Sequence, residues 1–203
     1  MNIYAVVVIY NGSKWIEKCL SSLTASNIRL SIVAVDNYSS DNGSNIIEEN
    51  YPEVDLIKLN DNMGFGKANN IGINKAYDKG ADYVFLLNQD AFVESDTIKK
   101  LIEAQKDEPD YGIVSPMHLN GKGNKLDLAF STYISPKSCP DLLSDFALGS
   151  VKNCLYQVKF INAAAWLLSR HCIEYIGVFN PVFFHYGEDI NYAHRLEYHC
   201  LKL

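Results

Sequence analysis

Four short apolar runs recur in the first half of the sequence, and each gives way to a polar side chain. They are IYAVVVIY (3–10) before Asn11, SIVAVDN (31–37) reaching Asp36, VDLIKLN (54–60) ending on Asn60, and DYVFLLN (82–88) just ahead of Asp90. Runs this rich in Val, Ile and Leu, without polar alternation, read as strands covered on both faces. Between them the apolar spacing changes to that of helices. Ser13 is placed to cap one whose stripe is Trp15, Ile16, Cys19, Leu20 and Leu23. Further helices are predicted near 43–50, over 66–79 with a stop at Gly80, and from Ser95 to about Gln105. Such alternation builds a parallel sheet with right-handed crossovers, whose ligands sit beyond the carboxyl ends of the strands. Asn11, Asp36, Asn60 and Asp90 are all expected at that rim.

The second half is less regular. YGIVSP (111–116) reads as a strand, and 120–155 as loops with a short strand near 126–133. VKFINAAAWLLS (158–169) suits either a long strand or a buried helix. A short helix is predicted from Arg170 to Ile176, ending at Gly177, and FNPVFFHYGEDINYAHRL passes from an aromatic loop into a helix. At 203 residues, with no repeat and no linker, the chain reads as one large domain.

Charge narrows the partners. The formal net charge is −6 and no basic block is present, which argues against nucleic acid or an anionic membrane surface as the ligand. A small anionic ligand would need help from a metal or from helix N-termini. The cysteines at 19, 139, 154, 172 and 200 are odd in number and form no CxxC pair, so a disulfide framework or zinc site is not expected, and a reducing cytosol is the simpler setting. No apolar run approaches the roughly 20 residues of a membrane helix. The opening MNIYAVVVIYNG has no basic start and no small-residue cleavage site, and reads as a strand.

A single Asp at a strand end is normally a turn or capping residue. Here Asp36 and Asp90 close two strands that a parallel sheet brings near one another. A hard divalent cation takes oxygen ligands and bridges a carboxylate to a diphosphate, neutralising charge on a departing group. Asp90 would carry the direct bond, since Asn88 and Gln89 are poorer ligands. Glu188 and Asp189, after Gly187, fall in a first helical turn, where the dipole favours carboxylates. The plain reading is helix capping; the sharper one is a general base that takes a proton from an attacking hydroxyl.

Other readings fit less well. GFGKAN (64–69) has Asn69 at the third glycine position and follows the third strand, so it is not the dinucleotide fingerprint. His185, His194 and His199 lack metalloenzyme spacing; HRLEYH is no HExxH. The aromatic residues Phe179, Phe183, Phe184 and Tyr186 read first as core.

Six pieces, in order and spanning nearly the whole chain, carry a family resemblance: VVVIYNGSKWIEKCLSSL, IVAVDNYSSDNGS, LNDNMGFGKANNIGI, YVFLLNQDAF, INAAAWLLSR and VFNPVFFHYGEDINYAHRL. The sequence resembles family 2 glycosyltransferases of the rhamnosyltransferase-like kind. The resemblance implies the α/β GT-A fold, with a mixed, mainly parallel sheet flanked by helices. It implies a single domain over 1–203, with a nucleotide-sugar-binding half at 1–92 and an acceptor-side half at 93–203. It also implies inverting transfer from a pyrimidine nucleoside-diphosphate sugar, dTDP-rhamnose or a UDP-sugar, to a glycan or lipid-linked hydroxyl in surface polysaccharide synthesis. Asp36 would recognise the base, with Tyr10 and Asn11 lining the same pocket. Asn62, Gly64 and Lys67 belong to the segment expected to hold ribose and diphosphate. Asp90 matches the last acid of a DXD-like motif and would bind Mg²⁺ or Mn²⁺; Asn88 stands where the first acid would be. Asp189 matches the catalytic base of an ED motif, with Glu188 its neighbour. Family members continue beyond that helix, whereas this chain stops at HCLKL, 14 residues past Asp189, and reads as short at its C-terminus. The expected setting is cytoplasmic, with lipid-linked acceptors bringing the protein to the inner face of the membrane. A nucleotide-sugar-binding module without turnover is the alternative.

Overall fold

A computed structural model describes residues 1–151 and 155–203 of the chain. The predicted alternation is realised as β1 (Ile3–Ile9), α1 (Ser13–Thr24), β2 (Ser31–Asp36), α2 (Gly43–Asn50), β3 (Asp55–Lys58), α3 (Phe65–Asp78), β4 (Tyr83–Leu87) and α4 (Thr97–Asp107). The second half adds β5 (Ile113–Val114), α5 (Leu128–Tyr133), α6 (Pro140–Ala147), β6 (Ala165–Ser169), α7 (Arg170–Ile176) and α8 (Glu188–Tyr198). The sheet runs β3-β2-β1-β4-β6-β5. β1 pairs in parallel with β2 and β4, and β2 with β3, while β6 is antiparallel to both β4 and β5.

The strands lack polar alternation because both faces are covered. Val6, Val33, Val35, Val84, Leu86 and Trp166 pack toward α3, α7 and α8. Their neighbours Ala5, Val7, Ala34, Phe85 and Leu167 pack toward α1, α2 and α4. Each strand therefore feeds two cores, as the period of two requires.

Several expectations are corrected. Ser13 does not cap α1: the cap position is Gly12, and the Ser13 N–H donates to Asp41 Oδ2 at 2.7 Å from the next crossover loop. Trp15 is 44% exposed, so the buried stripe is Ile16, Cys19, Leu20 and Leu23. α4 opens at Thr97 behind Asp96, not at Ser95. The short strand expected near 126–133 is helix α5, started by Asp127, whose Oδ1 accepts the Phe130 N–H at 3.0 Å. Leu126, Leu128 and Phe130 mimic alternation, but Leu128 is 83% exposed while Phe130 is buried. The expected loop over 120–155 also holds α6, where Pro140 sits in the first turn, the one helical place its missing N–H is harmless. Residues 152–154 of that stretch, Cys154 included, lie outside the described residues. The 158–169 segment resolves as a strand only over β6. Among the described residues no helix is long and apolar enough to cross a membrane.

Candidate active site

A crevice of about 440 Å³ opens at the carboxyl ends of β1 and β4. Of the predicted site residues it gathers Tyr10, Asn62, Gly64, Asn88 and Asp90, and it adds His185. Asn11, Asp36, Lys67, Glu188 and Asp189 are not part of its lining. Asn11 and Asp36 brace the loop between β2 and α2, Lys67 stands in the first turn of α3, and Glu188 and Asp189 open α8 just after His185.

The floor comes from pairing that outlasts the strands. The Gln89 side-chain amide accepts from the Tyr10 N–H at 2.9 Å and donates to the Tyr10 carbonyl at 3.0 Å, so β1 and β4 stay clamped past their last ladder bonds. On the other side the Asn88 N–H donates to the Ala164 carbonyl at 2.9 Å. Asp90 is thereby held at the rim, exposed, and accepts no hydrogen bond from the described residues. Cys19 lies beneath, its thiol directed at the Asn88 carbonyl and its pKa pushed up to about 12 by burial and then by the Asp90 charge.

Asp36 is only 6% exposed and its carboxylate is already engaged. Oδ1 accepts the Ser39 N–H at 2.9 Å and Oδ2 accepts the Ser44 hydroxyl, so Asp36 ties down the loop between β2 and α2. Its neighbour Asn37 orders the next wall. Asn37 Nδ2 donates to Asn62 Oδ1 at 3.0 Å, Asn37 Oδ1 accepts the Met63 N–H at 2.8 Å, and Asn62 Oδ1 accepts the Gly64 N–H at 2.9 Å. Gly64 has φ 79° and ψ 172°, a conformation reserved for glycine. A Cβ there would fall 1.9 Å from the Phe184 carbonyl oxygen, which accepts the Phe65 N–H at 3.3 Å. Lys67 forms no ion pair with any described residue.

The Phe184 contact joins this wall to the strap between α7 and α8. At the root of the strap the Asn70 amide grips the Phe179 backbone, accepting its N–H and donating to its carbonyl, both at 2.8 Å. Arg195 donates to the Ile176 and Val178 carbonyls at 2.8 and 2.6 Å. The strap then delivers the first turn of α8 through Tyr186 (φ 66°) and Gly187 (φ 95°). Asn11 (φ 48°) and Tyr38 (φ 69°) share this rare left-handed backbone, in the loops that follow β1 and β2. Strain of this kind clusters at functional rims. Glu188 is buried with Oε2 unbonded among the described residues; Asp189 is half-buried, its Oδ1 accepting the Ile190 N–H at 2.8 Å. The bracing roles of Gln89, Asn37, Asn70 and Arg195 are not visible in the sequence, because their partners are distant in the chain.

The donor set suits one kind of metal ion. Among the described residues no group of three or more His, Cys, Asp or Glu could enclose a cation. Asp90 offers one free carboxylate in an open crevice, which fits a hard ion that takes its remaining ligands from substrate phosphate and water. A separate, mostly apolar cavity of about 190 Å³, lined by Tyr111, Phe130 and Leu142 among others, has no Asp, Glu, Lys or Arg in its described lining.

Comparison with known proteins agrees with this architecture. The chain is 36% identical over 101 residues to the dTDP-rhamnosyl transferase RfbF of Shigella flexneri, covering 49% of this chain and 33% of that protein. It is 26% identical over 218 residues to the N-acetylglucosaminyl-diphospho-decaprenol L-rhamnosyltransferase of Mycobacterium tuberculosis, covering 94% of this chain and 69% of that one. In structure it resembles the mannosyltransferase PcManGT of Pyrobaculum calidifontis, solved with GDP-Man and Mn²⁺. The TM-score is 0.70 at 17% identity, over 99% of this chain and 53% of that chain. The chain thus spans from a third to about two thirds of these relatives. The fold is GT-A, and since residues 4–163 match the model of Glycosyl transferase family 2, the chain belongs to that family, on its rhamnosyltransferase-like side.

Proposed function

We propose that the chain is the donor-binding and catalytic core of an inverting glycosyltransferase. It moves a sugar from a pyrimidine nucleoside diphosphate, dTDP-rhamnose or a UDP-sugar, to a hydroxyl of a glycan or glycolipid in surface polysaccharide synthesis. The observation that carries this is Asp90: an exposed carboxylate with no hydrogen bond among the described residues, next to the Gln89–Tyr10 clamp and facing a crevice that also receives the tips of β1 and α3 and the strap before α8. The named activities of the two rhamnosyltransferase relatives support the donor class.

Asp90 would hold Mg²⁺ or Mn²⁺, which when bound neutralises the negative charge on the leaving diphosphate. Tyr10 lines the donor crevice, and Asn62 and Gly64 give it a fixed backbone wall. Asp36 shapes the base end through Ser39 and Ser44, and each carboxylate oxygen keeps a second lone pair for a pyrimidine N–H. Asn11 braces the same loop, accepting the Ser40 N–H at 2.9 Å. Lys67, at the start of α3, adds a positive charge near the phosphates. Asp189, whose Oδ2 accepts no hydrogen bond from the described residues, takes the acceptor proton. The acceptor oxygen then bonds to the anomeric carbon from the face opposite the leaving group, and the carbon–oxygen bond to the diphosphate breaks with its electron pair. Glu188, buried behind it, keeps the first turn acidic and oriented. Lipid-linked acceptors would bring the protein to the inner face of the cytoplasmic membrane.

Calorimetric titration with UDP, dTDP and GDP, with and without Mn²⁺, tests the donor site. Metal-dependent binding of a pyrimidine diphosphate, lost in Asp90→Ala, is expected. Asp189→Asn should abolish transfer while leaving that binding intact; persistent transfer would remove Asp189 from the role of base.

A further inference from the structure

The formal charge of −6 conceals an asymmetry. Between β5 and β6 the chain makes an excursion over residues 115–164 that includes α5 and α6. It carries five Lys against three Asp, with no Arg or Glu, a balance of +2, so the rest of the chain carries −8. Two of the three acids are engaged. Asp145 is buried and accepts the Tyr156 hydroxyl at 2.8 Å, and Asp127 caps α5. Lys122, Lys125, Lys137 and Lys159 are all exposed.

α6 turns an apolar face outward. Leu142 and Asp145 are its buried residues, while Leu143, Phe146 and Ala147, at the i, i+3, i+4 spacing of one helical face, are exposed. Leu148 and Val151 carry this surface past the end of the helix, at 78% and 55% exposure. Over residues 140–151 the one exposed charge is Asp141. Phe146 and Val151 also line the apolar cavity of about 190 Å³, so the cavity opens outward through an apolar rim. Continuous exposed apolar surface of this kind marks a site of association.

Charge decides what associates there. A second copy docked about a two-fold axis would set one positive excursion against the other. An anionic bilayer offers hydrocarbon to the apolar rim and phosphate to the lysines around it. We infer that the excursion docks on an anionic phospholipid bilayer. Leu143, Phe146, Leu148 and Val151 enter the boundary between headgroups and acyl chains. Lys137, just ahead of α6, and Lys159, next to the cavity-lining Val158, meet lipid phosphate. This docking stands without the transferase reading. Its orientation gains meaning from that reading, because Met117 lines both the apolar cavity and the depression beside Asp90, which brings the bilayer to the donor end of the sheet.

Co-sedimentation of the intact chain with lipid vesicles tests the inference. One set of vesicles is phosphatidylcholine alone, and the other is phosphatidylcholine and phosphatidylglycerol in equal parts. Binding is expected to the mixed vesicles and to weaken as salt is raised. Lys137→Gln/Lys159→Gln should weaken it by at least about fivefold, the worth of one lysine at an anionic surface. Leu148→Glu, at a position exposed enough to leave the packing intact, should weaken it about tenfold or more, the worth of burying one leucine. Phe146→Glu/Leu148→Glu should abolish it. Each variant should keep the parent's urea midpoint and its affinity for UDP or dTDP with Mn²⁺. Equal binding to both kinds of vesicle, or variants that bind as the parent does, would overturn the inference. So would a dimer in analytical ultracentrifugation that Leu148→Glu dissociates, with no vesicle binding by the parent. Vesicle binding by a parent chain that takes no nucleotide would instead overturn the transferase reading and leave the docking surface standing.

Discussion

Gly64→Ala probes the joint on which the donor wall depends. A Cβ at this position would lie 1.9 Å from the Phe184 carbonyl oxygen and 2.8 Å from its carbon, on a backbone at φ 79° and ψ 172°. The disallowed conformation costs about 1–3 kcal/mol and the overlap about 1–3 more if nothing moves. The chain has a cheaper response, which is to swing the 62–65 turn off the strap. That forfeits the Phe65–Phe184 hydrogen bond, roughly 1 kcal/mol, and disturbs the Asn37–Asn62 clamp. The net loss is therefore about 2–4 kcal/mol, which lowers a urea midpoint by about 1 M at the slope expected for a chain this size. Urea unfolding followed by tryptophan fluorescence reads the stability, and UDP or dTDP titration reads the wall. Phe184→Ala is the control, because it keeps the carbonyl and removes only a ring that is 59% exposed; it should stay within about 0.5 kcal/mol of the parent. A Gly64→Ala protein with an unchanged midpoint and unchanged nucleotide affinity would refute the close approach as a structural requirement.

Three further outcomes follow from individual contacts. Asn70→Ala removes both hydrogen bonds to Phe179 and should lower stability by about 1–3 kcal/mol in the same urea assay; no change would mean the strap is anchored elsewhere. His118 has a folded pKa below its ordinary 6.5, so as pH falls through 6.5 the unfolded chain binds the proton first and stability declines. His118→Gln should flatten thermal melting between about pH 7 and 5, and an identical slope would show that the imidazole protonates freely in place. Mass-resolved thiol labelling should find exposed Cys200 modified well before Cys19 and Cys172, whose pKa values burial raises to about 12; early labelling of Cys19 would contradict its place beneath Asn88.

The places of Asp36, Asp90, Glu188 and Asp189 in the fold were legible in the sequence, and their supports were not, for a physical reason. A buried parallel strand advertises itself by an unbroken apolar run, so its carboxyl end, and the residue standing there, can be read from local pattern alone. Asp36 and Asp90 were found that way, and Glu188–Asp189 by the first-turn signature of α8. What fixes those acids is amide chemistry across long sequence gaps. Gln89 reaches Tyr10 over 79 residues, and Asn70 reaches Phe179 over 109. Asn and Gln carry donor and acceptor on one planar group, so each can imitate a missing peptide in a ladder, but nothing in the local spacing says which backbone it will meet. The same limit explains α5. An Asp cap followed by alternating apolar residues serves a strand or a helix equally well until the packing of Phe130 and Ile134 on one side decides it. Asp36 shows the converse. Its position was predictable, yet Ser39 and Ser44 already occupy its carboxylate, so any contact with a base is made by a residue that is also the keystone of its loop. Asp36→Asn would therefore be expected to change the loop as well as the ligand contact, and an affinity loss in that variant would not by itself distinguish base recognition from loop order. Ser44→Ala separates the two, because it frees one carboxylate oxygen while leaving the charge in place. Should it weaken pyrimidine binding as much as Asp36→Asn does, the loop is the determinant; should binding hold, the carboxylate reads the base directly.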